Sequence, residues 1–210
     1  MIRVLVADDH AVIRCGITQI LEEALDITVT GEASTGREVL QAVRKHHYDV
    51  LVLDIAMPGG GGFEVLEQLD TLKPGLKILM LSMYSESHYA IRALRAGASG
   101  YLTKDSAPSQ LIAAIRQVAA GGTYVTQSLA EKLAVEVRGE AHKEPHEILS
   151  TREYQVLCLL ASGKTVTQIA KELYLSVKTI STYRVRLQEK LGLDNTAQLM
   201  RYAIDRGIAG

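Results

Sequence analysis

The segment DVLVLDIAMPGG, residues 49–60, runs from an almost unbroken apolar stretch through an aspartate to a turn rich in proline and glycine. A short apolar run of this kind is typical of a strand buried on both faces of a parallel sheet, because strands with one solvated face alternate apolar and polar residues. The segment therefore predicts a central strand that ends at Asp54.

Four further apolar runs surround this strand, at residues 2–7, 27–32, 77–82 and 99–103. Each is followed by an amphipathic segment of helical period, and these segments lie at 12–24, 36–46, 63–72, 87–96 and 108–119. Alternation of strands and helices is typical of a parallel sheet with crossover helices on both faces. We therefore expect residues 1–121 to form an α/β domain, a five-stranded, doubly wound, flavodoxin-like sheet of order 2-1-3-4-5.

The remaining residues are predicted to be helical. Residues 122–149 read as a connector, with a helix near 126–138 and a polar linker over 139–149. Residues 150–210 contain four amphipathic segments, near 151–161, 166–173, 177–190 and 195–206, and the middle two have the spacing of a helix-turn-helix. We therefore expect a small all-α DNA-binding domain of four helices.

The net charge of -1 conceals an uneven distribution, since residues 1–138 carry -3 and residues 150–210 carry +4. A basic C-terminal domain favours a polyanionic partner.

The chain contains no apolar run long enough to span a membrane, and its opening residues show no export pattern. Two cysteines far apart in sequence do not suggest a disulfide framework. A cytoplasmic protein with no membrane partner is therefore expected.

Polar side chains stand where the predicted strands end. Asp8 and Asp9 follow the first strand, Asp54 and Ser82 close the third and fourth, and Lys104 follows the fifth. Since the carboxyl ends of parallel strands meet at one edge of the sheet, these side chains should converge. Crowded carboxylates favour a hard divalent cation such as Mg²⁺. The set suits phosphoryl transfer to Asp54 as nucleophile, with Lys104 holding a phosphoryl oxygen.

Motifs in both halves of the chain carry a family resemblance. The strings ADDH, LVLDIAMPGG and LSMYSESHYAIRALRAGASGYLTKD, with the tail LSTREYQVLCLLASGKTVTQIAKELYLSVKTISTYRVRLQEKLGL, resemble a two-component response regulator of the NarL/FixJ type. Such a protein has a receiver domain followed by a LuxR-type helix-turn-helix domain. The resemblance covers nearly the whole chain.

The resemblance implies roles for the residues at the strand ends. Asp54 would accept a phosphoryl group from a histidine kinase, and Lys104 would bind that group. Ser82 and Tyr101 would form a switch pair, and phosphorylation would promote a homodimer. The resemblance further implies a metal site that consists of Asp8, Asp9, Asp54 and the main-chain carbonyl of Ala56. Many receivers have proline where this chain has Asp105, which argues against the cis peptide bond that often precedes that proline.

Helix 177–190 is expected to read DNA. Its predicted core face contains Val177, Ile180, Leu187 and Leu191, which places Lys178, Thr182, Val185 and Glu189 on the opposite face. The resemblance implies base contacts from Lys178, Thr179 and Thr182, and phosphate contacts from Arg184, Arg186 and Lys190. The last helix is predicted to expose Leu199, Met200 and Ala203 as a dimer surface. The DNA that this domain binds would be double-stranded promoter DNA.

Specific residues bear on other functions that a strand-end aspartate could serve. A haloacid-dehalogenase-type phosphatase needs a second acid at position 56, which is Ala56, and a P-loop ending at 163–165 would need glycine at Cys158. A metal-dependent phosphohydrolase with a DNA-binding domain and a constitutive DNA-binding protein with a degenerate receiver remain as alternatives. The chain is not expected to be an enzyme beyond slow loss of its own phosphoryl group, because Ala56 is too small to orient water and Tyr84 would shield the group.

Three histidines have plain interpretations. His10, beside the acidic pair, reads as a loop or helix-start residue rather than as a ligand or base. His142 and His146 have no cysteine or carboxylate partner at metal-binding spacing, so the sequence predicts solvated side chains in the linker.

Overall fold

The computed structural model describes residues 1–58, 61–73, 75–83, 86–137 and 145–208. The chain divides into two compact units, Met1–Ala134 and Val135–Gly210. This division falls inside a helix of the predicted connector, so the domain bounds expected at residues 121 and 149 stay predictions. Throughout the described segments, every helix is too short or too polar to cross a membrane.

The first unit is built on five parallel strands. They are β1 (Ile2–Ala7), β2 (Ile27–Ala33), β3 (Val50–Asp54), β4 (Lys77–Ser82) and β5 (Gly100–Thr103), in the order β2-β1-β3-β4-β5. The predicted sheet and its order are therefore confirmed. Every residue of β3 is buried, as its unbroken apolar sequence predicts for a central strand.

Five helices cover this sheet: α1 (Ala11–Glu22), α2 (Gly36–Lys45), α3 (Gly62–Leu72), α4 (Glu86–Arg95) and α5 (Pro108–Ala119). One core cluster joins residues of β1, β3 and β4 to the apolar faces of α1 and α5, where Ile17, Leu21, Leu111 and Ile115 are buried. This packing holds the carboxyl ends of the central strands at one edge, where the polar residues lie.

The chain that leaves α5 runs beside the edge strand β5. The main-chain N–H of Tyr124 donates to the carbonyl of Ser99 at 2.9 Å, and the N–H of Tyr101 donates to the carbonyl of Tyr124 at 3.3 Å. Tyr124 thus forms an isolated parallel bridge with Gly100. The next helix, α6 (Gln127–Val137), follows this bridge.

After the end of α6, the second unit contains a 3₁₀ turn (Pro145–Ile148), α7 (Thr151–Ala161), α8 (Val166–Glu172), α9 (Val177–Leu191) and α10 (Thr196–Asp205). Each α-helix starts at a polar capping residue, respectively Ser150, Thr165, Ser176 and Asn195, whose side chain accepts a main-chain N–H three residues later. The predicted four-helix domain is confirmed.

Three expectations about side chains in this unit are wrong. Leu199 and Ala203 are fully buried because α10 packs against α7, so they fill the core and do not form a dimer surface. Val177 is 49% exposed at the first turn of α9, where the core does not reach it. His146 is buried, and its Nδ1 hydrogen-bonds the Tyr202 hydroxyl at 3.1 Å. His142 lies outside the described residues.

Candidate functional site

The polar residues at the strand ends meet because of the register of β1, β3 and β4. β1 pairs with β3 up to Ala7 and Leu53, and β3 pairs with β4 up to Asp54 and Leu81. Asp8 follows directly after β1, and Lys104 is held beside the end of β4 because its main-chain N–H donates to the carbonyl of Ser82 at 2.8 Å. The acidic and basic side chains are therefore brought to one edge of the sheet.

Lys104 connects two buried carboxylates. Its Nζ lies 2.6 Å from Oδ2 of Asp8 and 2.9 Å from Oδ2 of Asp54. The side chains of all three residues are less than a tenth exposed. Two carboxylates thus share one ammonium group in a site that excludes most water, which leaves one unit of negative charge among them.

The electrostatic balance of this trio differs between its members. Burial, together with the nearby charge of Asp8, raises the pKa of Asp54 to about 6 even though Lys104 acts in the opposite direction. Burial alone would lower the pKa of Lys104, but the charges and hydrogen bonds of Asp54 and Asp8 outweigh burial and raise it. The surroundings of Asp54 therefore disfavour its charged form, whereas those of Lys104 favour its charged form.

Asp9 and His10 form the outer part of the pocket. Nδ1 of His10 lies 2.8 Å from Oδ1 of Asp9, and the main-chain N–H of His10 donates to Oδ1 of Asp8 at 2.8 Å. Oxygen or nitrogen atoms of Asp8, Asp9 and His10 lie within 4.8 Å of one another. His10 is the residue before α1, as expected of a helix-start residue. Carboxylate oxygens in this number suit a hard divalent cation.

Two residues that the sequence analysis did not single out shape this pocket. Nη1 of Arg14 donates to the main-chain carbonyl of Asp8 at 2.7 Å, while its Nε lies 3.1 Å from Glu32. A β-carbon at Gly62 would lie 2.3 Å from the main-chain oxygen of Asp54. The glycines after Pro58 were a usable signal for Gly62, but nothing in the pattern marked Arg14.

The other predicted site residues of the first unit lie near the strand ends. Ser82 and Tyr101 are both fully buried, so the tyrosine ring is enclosed in this conformation. The main-chain N–H of Ala56 acts to lower the pKa of Asp54, against the larger effect of burial. The described peptide bonds are all trans, that between Lys104 and Asp105 included. Tyr84 lies outside the described residues.

In the second unit, α9 carries a solvent-facing row of side chains. Lys178, Thr182, Val185 and Glu189 follow one another at three- or four-residue intervals and are exposed, and Ile180 and Leu187 on the other side are fully buried. The row is the face that the sequence predicted. Arg186 is exposed beside it, whereas Arg184 is half-buried.

Two of the residues predicted to contact DNA also serve the fold. Thr179 lies in the first turn of α9, where its N–H donates to the Ser176 hydroxyl at 3.0 Å. Nζ of Lys190 lies 2.7 Å from Oε2 of the buried Glu153, which also accepts the N–H of Ser150 at 2.7 Å. Glu153 thus joins the start of α7 to the end of α9, a structural role that the sequence analysis missed.

Comparisons with known proteins match each half of the chain to a known family. Residues 4–116 match the family described as "Response regulator receiver domain", and residues 147–203 match "Bacterial regulatory proteins, luxR family". The chain belongs to the response regulator family. This response regulator combines a receiver with a LuxR-type DNA-binding domain, as in the NarL/FixJ type, and it is a transcription regulator.

Relatives resemble this response regulator over nearly its full length. It is 36% identical to response regulator UvrY of Escherichia coli (strain K12) over 209 residues, which cover 99% of this chain and 96% of UvrY. Response regulator GacA of Pseudomonas aeruginosa is also 36% identical, with 99% and 98% covered. The solved structure of RcsB from Salmonella enterica serovar Typhimurium bound to promoter rprA with the phosphomimetic BeF3- has a TM-score of 0.67 and 29% identity, with 96% of this chain and 97% of that chain covered.

Proposed function

We propose that this response regulator is switched by phosphorylation of Asp54, with a histidine kinase as the phosphoryl donor, and that the switch controls its dimerisation and its binding to promoter DNA. The observation that carries the proposal is the enclosed contact between Lys104 and Asp54, 2.9 Å apart. A buried carboxylate with an adjacent fixed cation is the arrangement that phosphoryl transfer to an aspartate needs.

In the proposed transfer, a carboxylate oxygen of Asp54 attacks the phosphorus atom of a phosphohistidine, so that a P–O bond forms as the P–N bond breaks. Lys104 then pairs with a phosphoryl oxygen and keeps its contact with Asp8. The pKa of Asp54, about 6, leaves the carboxylate mostly ionised at pH 7.5, so it is ready to act as the nucleophile.

The acidic pocket fits Mg²⁺, since its donors include carboxylate oxygens, and the main-chain carbonyl of Ala56, two residues after Asp54, would add one more oxygen. We propose that Asp8, Asp9, Asp54 and that carbonyl hold the ion. When bound, the ion neutralises charge on the phosphoryl oxygens. Its presence would also relieve the repulsion between Asp8 and Asp54 that contributes to the raised pKa of Asp54.

The switch pair is proposed to transmit the change. The Ser82 hydroxyl would hydrogen-bond the new phosphoryl oxygens, and Tyr101 would occupy the enclosed position that it has in this structure. Conformations in which Tyr101 turns outward would then belong to the unphosphorylated protein. This two-state arrangement links charge at Asp54 to the surface around α4 and β5.

For DNA, we propose that α9 enters the major groove. Lys178, Thr179 and Thr182 would contact bases, and the cationic side chains of Arg184, Arg186 and Lys190 would contact phosphates. A contact set of this size favours two copies on paired half-sites. The solved RcsB structure bound to promoter rprA supports this by similarity. The protein would act in the cytoplasm.

Phosphorylation is tested with acetyl phosphate and Mg²⁺. The Asp54→Asn variant should take up no phosphate, as measured by intact-protein mass or a phosphate-affinity gel. The Asp105→Asn variant is a matched control, because Asp105 is exposed and stands just after Lys104. Phosphate uptake by Asp54→Asn equal to that of the wild type would overturn the assignment.

Because Ala56 is too small to orient an attacking water, the phosphorylated protein should persist for minutes or longer. A half-life of seconds would contradict this.

DNA reading is tested with the double variant Lys178→Ala, Thr182→Ala in a gel shift with DNA from the organism's own promoters. Sequence-specific binding should be lost while phosphorylation is unchanged. Arg201→Ala, an exposed cation removed from α10, should bind as the wild type does. Normal promoter binding by the double variant would rule out α9 as the reading helix.

A further inference from the structure

The exposed row of α9 has an apolar centre. Lys178 and Glu189 stand at its ends, and Thr182 and Val185 stand between them. Val185 is 45% exposed and takes no part in the buried core of its unit. A β-branched residue at an exposed helix position is less favourable for the helix than alanine, so the fold gives no reason for valine there.

The hydroxyl of Thr182 is turned back toward its own helix. Its Oγ1 donates to the main-chain carbonyl of Lys178 at 3.0 Å, so the hydroxyl hydrogen is used within α9. Because Thr182 and Val185 are three residues apart, they are neighbours on the helix surface. What they offer to a ligand is therefore a pair of methyl-bearing side chains, with no hydrogen-bond donor.

A surface of this chemistry selects among the base edges of the major groove. Guanine and adenine are read by donors and by paired donor–acceptor groups, whereas thymine presents a methyl group that only an apolar contact uses. We infer that Thr182 and Val185 read the 5-methyl groups of one or two adjacent thymines. This inference rests on the proposed function, because it requires α9 in the major groove.

The experiment uses the phosphorylated full-length chain and a library of random duplexes. Duplexes retained over several rounds of selection define a site, which is then made again with deoxyuridine in place of each thymidine in turn. At one or two positions the loss of the thymine methyl should weaken binding of the wild type by about fourfold, the effect of removing one buried methyl group. Binding is measured by fluorescence anisotropy.

Variants connect those positions to the two side chains. Val185→Ala removes both γ-methyl groups and Thr182→Ser removes one. Either variant should bind thymidine and deoxyuridine duplexes almost equally at the sensitive position. Thr182→Val keeps the methyl group without the hydroxyl, and it should retain the preference for thymidine. Ile204→Ala, which removes an exposed apolar side chain from α10, is the matched control and should retain the preference as well.

The outcomes separate this inference from the proposed function. If the wild type selects a site but no deoxyuridine substitution weakens binding, or if Val185→Ala and Thr182→Ser leave the preference unchanged, the methyl-reading inference is overturned and the proposed DNA binding of the protein stands. Loss of the preference in Thr182→Val would show that the hydroxyl reads the base, which also overturns it. If the wild type selects no duplex at all, both the inference and the DNA-binding part of the proposed function fail.

Discussion

Two buried carboxylates, one in each unit, are each paired with a lysine, yet their pKa values shift in opposite directions. Asp54 and Glu153 are both 3% exposed, and they lie 2.9 Å and 2.7 Å from Lys104 and Lys190 respectively. The pKa of Asp54 is raised to about 6. For Glu153, burial acts to raise the pKa, but the hydrogen bonds from Lys190 and Ser150 outweigh it and the pKa is lowered.

The difference comes from the stronger effect of burial at Asp54 and from what else surrounds each group. Asp54 shares its lysine with Asp8, whereas Glu153 has its own lysine and also caps α7. A carboxylate whose charged form is opposed by its surroundings is available for chemistry, and one whose charged form is satisfied supports the fold. The contrast teaches that low exposure and an ion pair alone do not distinguish a functional acid from a structural one.

Replacement of the paired lysine in each unit should change the free energy of unfolding most, and by different amounts at the two sites. Lys104→Met leaves Asp8 and Asp54 buried without a cation, so we expect the first unit to lose about 3–5 kcal/mol of stability at pH 7.5. Lys190→Met removes a partly exposed partner and should cost the second unit about 1 kcal/mol. Amide hydrogen exchange of peptides from β3 and from α7 measures the units separately. Equal losses would contradict the comparison.

Neutralisation of the two acids should give effects of opposite sign. Asp54→Asn removes an ion that its site opposes, and without Mg²⁺ it should stabilise the first unit by about 1–3 kcal/mol at pH 7.5. Urea unfolding, followed by the exchange of β3 amides, measures this change. The gain should shrink when Mg²⁺ is added, because the wild type binds the ion more tightly. Destabilisation by Asp54→Asn in the absence of Mg²⁺ would show that the charge supports the fold.

Glu153→Gln should instead destabilise the second unit, by about 1 kcal/mol. Glutamine still suits the capping box, so the loss reports the charge on Glu153 and its pair with Lys190. Amide hydrogen exchange of peptides from α7 and α9, followed as the temperature is raised, tests the prediction. The Glu172→Gln variant removes a partly exposed acid in the same unit and is a control for net charge. A gain in stability would place Glu153 in the same class as Asp54.

The pH dependence of the two units should differ by smaller amounts. The folded pKa of Asp54 is raised, so its contribution to stability is present below about pH 4 and is lost as pH rises toward 6. Glu153 has a lowered folded pKa, so its contribution is present above about pH 4.5 and is lost as pH falls through the folded value. The free energy of unfolding is measured over this pH range for the wild type, Asp54→Asn and Glu153→Gln. The difference between the wild type and each variant, plotted against pH, gives the contribution of that acid and its slope. Slopes of the same sign would contradict the two pKa directions.

Much of this arrangement is predictable from the sequence because it depends on local patterns. The unbroken run at β3 fixed its central place, and the ends of parallel strands must share one edge, so Asp8, Asp54 and Lys104 could be placed together. Helix caps such as Ser150 and Thr165 are local as well, since they involve only the next few residues.

Other features could not be predicted because they depend on which faces meet. Leu199 and Ala203 fit an exposed stripe and a buried one equally well, and the contact between α10 and α7 decides between them. The burial of His146 requires Tyr202, which is 56 residues away. The partner of Lys190 is decided in the same way, because Glu153 stands on another helix.

The bridge between Tyr124 and Gly100 bears on how the sheet avoids self-association. β5 is an edge strand, and an uncovered edge offers its main-chain groups to a strand of another molecule. Tyr124 occupies the N–H of Tyr101 and the carbonyl of Ser99, and a β-carbon at Gly100 would lie 2.9 Å from its main-chain oxygen. The segment after α5 therefore covers part of this edge, and its release would expose main-chain groups of β5 to pairing with another molecule and so to aggregation.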